Sequence, residues 1–221
     1  MQSVFGSPER LSEFRGRSYQ LIVKRLVDVC VAALVLLAGS PLFSICALLV
    51  RLSGPGPVLY RGIRTGRFGK PFRILKFRTM VVDAERLGGP TTGTNDLRVT
   101  RIGRVLRRTK LDEIPQFVNV LVGDMSLVGP RPEVPVYTDT YSGEEQCILL
   151  MRPGLTDYAS IEFADLDDLV GDADPDEYFR AHIMPRKTAL RVKYVNEWSL
   201  KNDLWILSQT AWRVMKRIID H

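Results

Sequence analysis

The sequence predicts an α+β fold: a mostly helical, membrane-associated domain with a small β-hairpin. An uncharged apolar run over 29–50 has the length of a membrane segment. Two short β-type runs, Val58-Leu59-Tyr60 and Phe72-Arg73-Ile74-Leu75-Lys76-Phe77, flank a glycine-rich turn over 62–70. Because the chain has 221 residues and is 45% hydrophobic, it is long enough for one domain with short appendages.

Charge and cysteine content narrow the range of functions. Lys and Arg number 31 against 25 Asp and Glu, and this excess favours anionic partners such as nucleic acid, lipid headgroups or a phosphorylated substrate. The three cysteines, Cys30, Cys46 and Cys147, fit no disulfide framework, so we expect a reducing, cytosol-facing protein. Neither His182 nor His221 lies in a recognisable motif, which argues against histidine or zinc chemistry.

The apolar run is interrupted at its middle by Ser40-Pro41. Proline removes a backbone donor and clashes with the carbonyl four residues earlier, that of Leu37, and a serine hydroxyl can bond a carbonyl freed in this way. Basic residues flank the run, Lys24 and Arg25 before it and Arg51 after it, and such residues favour the cytoplasm. These features fit a re-entrant hairpin with both ends in the cytoplasm and a kinked transmembrane helix about equally well.

The chain divides into three predicted segments. Residues 1–20 form a mobile or surface segment, 21–52 the membrane helix broken at Ser40-Pro41, and 53–221 a cytosolic domain. The domain ends in a helix that carries Trp205 and Trp212 among basic residues. Packing on the core and lying in the headgroup layer both explain this helix, and its aromatic and basic mixture favours the headgroup layer. One side of it carries Leu204, Leu207, Ala211, Val214 and Ile218.

The stretch with the clearest chemical content joins a basic helix to two adjacent carboxylates. Five arginines, three residues apart for the most part, precede Asp112-Glu113, and Pro130-Arg131-Pro132 follows. An aspartate can attack phosphorus and hold it as an acyl phosphate, while arginines clamp the phosphate oxygens. A purely structural explanation is also open. The arginines could form a solvated basic face, and the two acidic residues could be favoured near a helix N-terminus by the helix dipole. We favour phosphate contact by at least one arginine. The apolar positions after the pair are predicted to pack in the core: Ile114, Phe117, Val118 and Leu121.

Six motifs occur in order along the chain. They are Lys24-Arg25-Leu26-Val27-Asp28, Ser40-Pro41, Lys76-Phe77-Arg78-Thr79-Met80, Leu111-Asp112-Glu113-Ile114-Pro115-Gln116, Pro130-Arg131-Pro132 and Arg152-Pro153-Gly154-Leu155-Thr156. Together they resemble the bacterial sugar transferase family, the monotopic polyprenyl-phosphate phosphoglycosyl transferases. One departure is that many members continue the last motif with Gly-Trp-Ala-Gln, whereas this chain has Asp157-Tyr158-Ala159-Ser160. The departure leaves the identity of the sugar open.

The resemblance implies a reaction and a location. A phosphosugar passes from a UDP-sugar to a polyprenol phosphate such as undecaprenyl phosphate, and UMP is released. This would be the first membrane step of bacterial glycoconjugate or polysaccharide biosynthesis, at the cytoplasmic face of the inner membrane. The resemblance also implies a re-entrant helix and contact with membrane lipids. Monomer and homodimer both stay open.

The resemblance assigns roles to individual residues as well. Asp112 is expected to be the covalent nucleophile and Glu113 its catalytic partner. The expected substrate-binding residues are Lys76, Arg78, Arg107 and Arg131. Mg²⁺ is the expected cofactor, with Asp112 and Glu113 as its ligands. A membrane-anchored scaffold is a second hypothesis, which predicts no turnover. A nucleic-acid-binding protein is a third, and the apolar run argues against it.

Overall fold

The computed structural model describes residues 18–89, 96–164 and 175–219. Its α-helices are α1 (Ser18–Ala38), α2 (Ser40–Leu52), α3 (Ala84–Leu87), α4 (Arg101–Arg108), α5 (Gln116–Val122), α6 (Pro135–Thr138), α7 (Tyr158–Glu162), α8 (Pro175–Tyr178), α9 (Met184–Asn196) and α10 (Leu200–Ile219). Its strands are β1 (Leu59–Thr65), β2 (Pro71–Phe77), β3 (Ser126–Val128) and β4 (Gly154–Thr156). The predicted α+β class, mostly helical with a small hairpin, is confirmed. Residues 1–17 of the predicted N-terminal segment over 1–20 lie outside the described residues.

Strands β1 and β2 form the predicted antiparallel hairpin, with Leu59 opposite Phe77 and Thr65 opposite Pro71. The predicted turn began too early, because Gly62 to Thr65 belong to the ladder and the chain reverses only between Gly66 and Lys70. A second pair, β3 and β4, is parallel and was not predicted. Each of its strands has three residues, which is too short for a periodic sequence signal.

The predicted interruption of the apolar run is present as a 65° bend between α1 and α2. The Ser40 hydroxyl donates to the carbonyl of Leu37 at 2.9 Å, and Pro41 lies in the first turn of α2, where no backbone donor is needed. Among the described residues, no single helix has the length and apolarity of a membrane span. The bent pair together has both, by length and composition.

Charged side chains near the start of α1 attach it to the rest of the domain. Lys24 Nζ lies 2.7 Å from the carboxylate of Asp203 on α10, and both residues are buried. The Arg25 guanidinium donates to two carbonyls in the last turn of α5, where a cation also complements the helix dipole. The Asp28 carboxylate accepts hydrogen bonds from Ser126 Oγ and from the Leu127 backbone N–H. The basic flank that indicated a cytoplasmic end therefore has fixed protein partners.

The predicted core stripe of the helix after the carboxylate pair is confirmed at Phe117, which packs against the core, and is wrong at two other positions. Val118 and Leu121 are exposed, whereas Asn119 and Val120 are buried. Asn119 Nδ2 donates to the Arg73 carbonyl, and Asn119 Oδ1 accepts from the Leu75 backbone N–H, each at 2.9 Å. Because Asn119 holds α5 against β2 by hydrogen bonds, Val118 and Leu121 lie on the exposed side of the helix.

Apolar side chains remain exposed on the outer surfaces of α1, α2 and α10. On the bent pair they include Leu34, Leu37, Ile45 and Leu48. On α10 the buried face carries Asp203 and Ile206, whereas Leu204 is exposed. Trp205 and Trp212 are also exposed, as are Met215 and Ile219. We call these exposed side chains of the three helices the apolar outer face.

Candidate active site

A cavity of about 1440 Å³ lies between the hairpin, the turn after α4, and helices α7, α9 and α10. This volume exceeds the usual range for a pocket that holds one small ligand. Of the residues that the structure describes, eleven Arg and Lys line it against four Asp and Glu, so its walls favour anions. Apolar residues line another part, among them Val31 of α1 and Leu207 and Val214 of α10. The cavity therefore has room for an anionic group and for an apolar one.

Asp112 and Glu113 reach the cavity from a tight turn between α4 and α5. Lys110 has a left-handed backbone, with φ 58°, which costs a non-glycine residue about 1–2 kcal/mol. A single 3₁₀ turn, Leu111–Glu113, follows, and Pro115 immediately precedes α5. This turn directs two consecutive carboxylates into one cavity. The carboxylate pair thus lies in a separate turn immediately before α5.

Glu113 is the centre of an ion-pair cluster. Its Oε1 accepts from Lys76 Nζ at 2.8 Å and from a guanidinium nitrogen of Arg131. Arg131 also donates to the Leu155 carbonyl at 2.7 Å. Burial opposes ionisation of Glu113, but the two cations outweigh it and hold the pKa of this carboxyl well below its usual range. The structure therefore brings three of the predicted site residues into direct contact.

Asp112 has a different environment from its neighbour. It is buried, and within the described part of the chain its Oδ1 has no hydrogen-bond partner. Burial raises the pKa of Asp112, and the nearby cations Lys76 and Arg107 only partly oppose that effect. A carboxylate oxygen that is poorly solvated and not hydrogen-bonded is more basic and more nucleophilic than one in water. Adjacent residues thus have opposite pKa shifts, a pattern found where two carboxylates have different roles.

The other two predicted basic residues lie at the cavity wall with different partners. Arg107 Nε donates to Thr79 Oγ1 at 3.0 Å, which orients its guanidinium. Arg78 is buried and donates to the carbonyls of Val50, Gly54 and Pro55. Arg78 therefore fixes the end of α2 against β2. The substrate contact expected of it stays a prediction.

Sequence reasoning missed the residues that hold the Pro-Arg-Pro loop. Asp157 is fully buried; its Oδ2 accepts from the Arg131 backbone N–H at 2.9 Å, and its Oδ1 accepts from Ser160. Arg191 Nε lies 3.5 Å from Asp157, and its terminal nitrogen pairs with Glu133 at 2.7 Å. The only signal in the sequence was that the chain departs from the common family pattern from Asp157 onward. Nothing in the sequence showed that this segment lies beside Arg131.

The carboxylates of the cavity fit the expected Mg²⁺ to different degrees. Within the described residues, no three His, Cys, Asp or Glu side chains form a cluster suited to a metal. Mg²⁺ usually needs only one or two carboxylates and takes its other ligands from substrate phosphates and water. The buried, unbonded Oδ1 of Asp112 fits that requirement. Glu113 fits less well, because its Oε1 already contacts Lys76 and Arg131.

A desolvated carboxylate beside fixed cations, in a cavity with an excess of basic over acidic residues, defines a site suited to phosphate esters. The chain belongs to the bacterial sugar transferase family, because the family model with that description matches residues 19–217. The family comprises transferases, and the resemblance found in the sequence motifs is confirmed.

Named relatives describe the chemistry of this family. The chain is 38% identical over 196 residues to UDP-glucose:undecaprenyl-phosphate glucose-1-phosphate transferase of Escherichia coli, covering 87% of the chain. It is 41% identical over 191 residues, 85% of the chain, to the protein of the same name in Caulobacter vibrioides. It is 35% identical over 210 residues, 88% of the chain, to undecaprenyl-phosphate galactose phosphotransferase of Salmonella typhimurium.

The matches cover different shares of these relatives. The chain spans 40% of the Escherichia coli protein, 41% of the Salmonella protein and 68% of the Caulobacter protein. Two of the three names specify glucose and one specifies galactose. Similarity therefore does not identify the sugar that this chain uses.

Proposed function

We propose that the chain transfers a sugar phosphate from a UDP-sugar to undecaprenyl phosphate and releases UMP. The observation that carries this proposal is the buried oxygen of Asp112, which has no hydrogen-bond partner among the described residues, in a cavity whose charged wall residues are mainly basic. The names of the relatives supply the substrate classes. The basic walls suit the diphosphate of the donor, and Val31, Leu207 and Val214 suit the first isoprene units of the acceptor.

The first step is attack by Asp112 on the sugar-bearing phosphorus. A bond forms between the carboxylate oxygen and phosphorus, the bond from phosphorus to the bridging oxygen breaks, and UMP leaves with that electron pair. The product is an acyl phosphate on Asp112. Lys76, Arg107 and Arg131 stabilise the charge that develops on the phosphate oxygens, as fixed cations do in phosphoryl transfer.

The second step returns Asp112 to its starting state. A phosphate oxygen of the acceptor attacks the same phosphorus, and the acyl phosphate bond breaks. The pKa of Glu113 is held low by Arg131 and Lys76, which makes it a weak base. We assign Glu113 first to holding these two cations in place, with proton transfer as its secondary role. Mg²⁺, when bound by Asp112 and Glu113 with the substrate phosphates, would neutralise diphosphate charge.

The bent helix pair is proposed to be re-entrant, with both ends at the cytoplasmic face of the bacterial inner membrane. Lys24 and Asp28 fix the start of α1 to the domain, and Arg78 fixes the end of α2 to the same domain. Both ends therefore lie on one side of the apolar outer face. Exposed Trp205 and Trp212 on α10 suit the headgroup layer beside it.

Single cysteines at Ile22 and Arg61, both exposed, test this topology in a chain whose three native cysteines are replaced. An impermeant maleimide should label neither site in intact spheroplasts and both after lysis. Pro41→Leu should expose a fraction of the Ile22 site to the outside, because an interior proline costs a straight helix about 3 kcal/mol. Pro71→Leu, outside the pair, is the control. If only one of the two sites were labelled in intact spheroplasts of the chain that keeps Pro41, a re-entrant helix would be contradicted.

The proposed activity is tested with the purified full chain in detergent. A panel of UDP-sugars is offered with undecaprenyl phosphate and Mg²⁺, and released UMP is measured. We expect sustained UMP release with at least one donor, and none beyond a single turnover when the acceptor is omitted. A scaffold that binds lipid would release no UMP with any donor, and that result would reject the proposed function.

A further inference from the structure

Lys187 of α9 is a buried cation on the wall of the cavity that the two-step mechanism does not use. The residue is 9% exposed and lines the same cavity as Asp112. Its Nζ lies 5.0 Å from the ring centre of Phe179 and 5.8 Å from that of Phe163. Over residues 18–89, 96–164 and 175–219, this ammonium donates no hydrogen bond and forms no ion pair with a carboxylate. A lysine buried to this degree normally has such a partner.

Among the described residues, the charges around Lys187 leave it without a counterion of its own. Glu133 and Asp157 attract the ammonium, but Arg191 pairs with Glu133 and Asp157 accepts from the Arg131 backbone. Arg191 and Arg131 also repel it. Burial, together with this repulsion, lowers the pKa of Lys187 to about 8. The described part of the chain thus compensates this buried cation only in part.

The two aromatic rings explain how the ammonium is tolerated but not why it is there. A ring face stabilises a cation by electrostatic attraction, yet it replaces only part of the lost hydration. A purely packing role would be served as well by a methionine of similar length. An ammonium on a cavity wall gains most when an anion enters the cavity, since the pair then forms in partly desolvated surroundings.

We propose that Lys187 is a second phosphate-binding group of the cavity, distinct from the Lys76 and Arg131 pair on Glu113. It binds a phosphate group of one of the two substrates, either the nucleotide or the polyprenol phosphate. This inference rests on the proposed function for the identity of those substrates. The excess of basic over acidic side chains in the cavity wall favours a phosphate over a neutral group such as a sugar hydroxyl.

Binding measurements on the full chain in detergent test the proposal and separate the two sources of phosphate. UMP and farnesyl phosphate are each titrated into the wild type, Lys187→Met and Lys193→Met. Lys193 is the matched control, because it lies on the same helix with its Nζ 5.6 Å from the centre of the Tyr158 ring, and it does not line the cavity. Loss of a charged hydrogen bond should weaken one ligand about tenfold or more in Lys187→Met. Lys193→Met should bind both as the wild type does.

The pattern of losses identifies the substrate. Weaker UMP binding assigns Lys187 to the donor, and weaker farnesyl phosphate binding assigns it to the acceptor. If Lys187→Met binds both ligands within twofold of the wild type, or if the wild type binds neither, the proposal is overturned.

Chemical labelling of the wild type covers the case in which Lys187→Met does not fold. Acylation of Lys187 and Lys193 by an amine reagent is followed by peptide mass spectrometry, with and without each ligand. UMP or farnesyl phosphate should protect Lys187 and leave Lys193 unchanged, whereas equal labelling in all conditions rejects the proposal. Neither experiment needs turnover. Absence of UMP release from every UDP-sugar would therefore reject the proposed function without deciding the role of Lys187.

Discussion

Asp112→Asn should abolish turnover, with kcat reduced by roughly 10⁴-fold or more, as for other enzymes that lose their nucleophile. The amide has nearly the size of the carboxylate and fits the same buried position, but it is a very poor nucleophile. UMP release with donor and acceptor is the measurement. Asp139→Asn, at an exposed position outside the cavity, is the matched control and should retain full activity.

The same variant tests the covalent intermediate. With donor alone, the wild type should release about one UMP per active site and gain the mass of a phosphosugar, because the acyl phosphate persists until an acceptor arrives. Asp112→Asn should show neither the burst nor the mass gain. Steady-state kinetics should be ping-pong. Direct reaction of donor and acceptor in a ternary complex would give intersecting lines in double-reciprocal plots. Intersecting lines together with substantial activity of Asp112→Asn would contradict the covalent intermediate.

Features that depend on local sequence were predicted well. The break in the apolar run follows from the chemistry of a serine and a proline, and the Ser40 hydroxyl bonds the predicted Leu37 carbonyl. The hairpin follows from two β-type runs around glycine, although the turn was placed four residues too early. The carboxylate pair follows from its position between an arginine-rich helix and a Pro-Arg-Pro loop, and the structure joins Glu113 to Arg131.

Features that depend on distant contacts were not predicted. The face of α5 is decided by Asn119, which bonds to a strand more than forty residues away. The exposed side of α10 is decided by Asp203, which pairs with Lys24 at the other end of the chain. Apolar periodicity could not reveal either contact, because in both helices a buried polar side chain, and not a stripe of apolar ones, selects the inner face.

The network around Arg131 was beyond sequence reasoning for the same reason. Asp157 and Arg191 approach the Pro-Arg-Pro loop from separate elements, and their partners are fixed only by the fold. Asp157 holds the backbone of Arg131, whose guanidinium contacts Glu113. The departure from the common family pattern at Asp157 thus lies next to the ion-pair cluster of Glu113 in space, although it is distant from it in sequence.

Arg131→Lys should lower kcat/KM about 10- to 100-fold, the effect of losing one charged hydrogen bond. The Arg131 guanidinium contacts the Leu155 carbonyl and the Glu113 carboxylate with different nitrogens. A lysine ammonium is a single point of charge and does not match this fork, so either the Glu113 contact or the orientation toward phosphate is lost.

Arg186→Lys is the matched control for that substitution. Arg186 also contacts a carboxylate with two nitrogens, at 2.7 and 3.0 Å from Glu162, but the pair is exposed and lies outside the cavity. Exposed ion pairs contribute little, so this variant should behave as the wild type. In a Glu113→Gln background, Arg131→Lys should cost less than it does alone, because the two residues act as one unit. Near wild-type kcat/KM for Arg131→Lys, with Arg131→Met equally active, would show that Arg131 only stabilises the loop and does not contact the transferred phosphate.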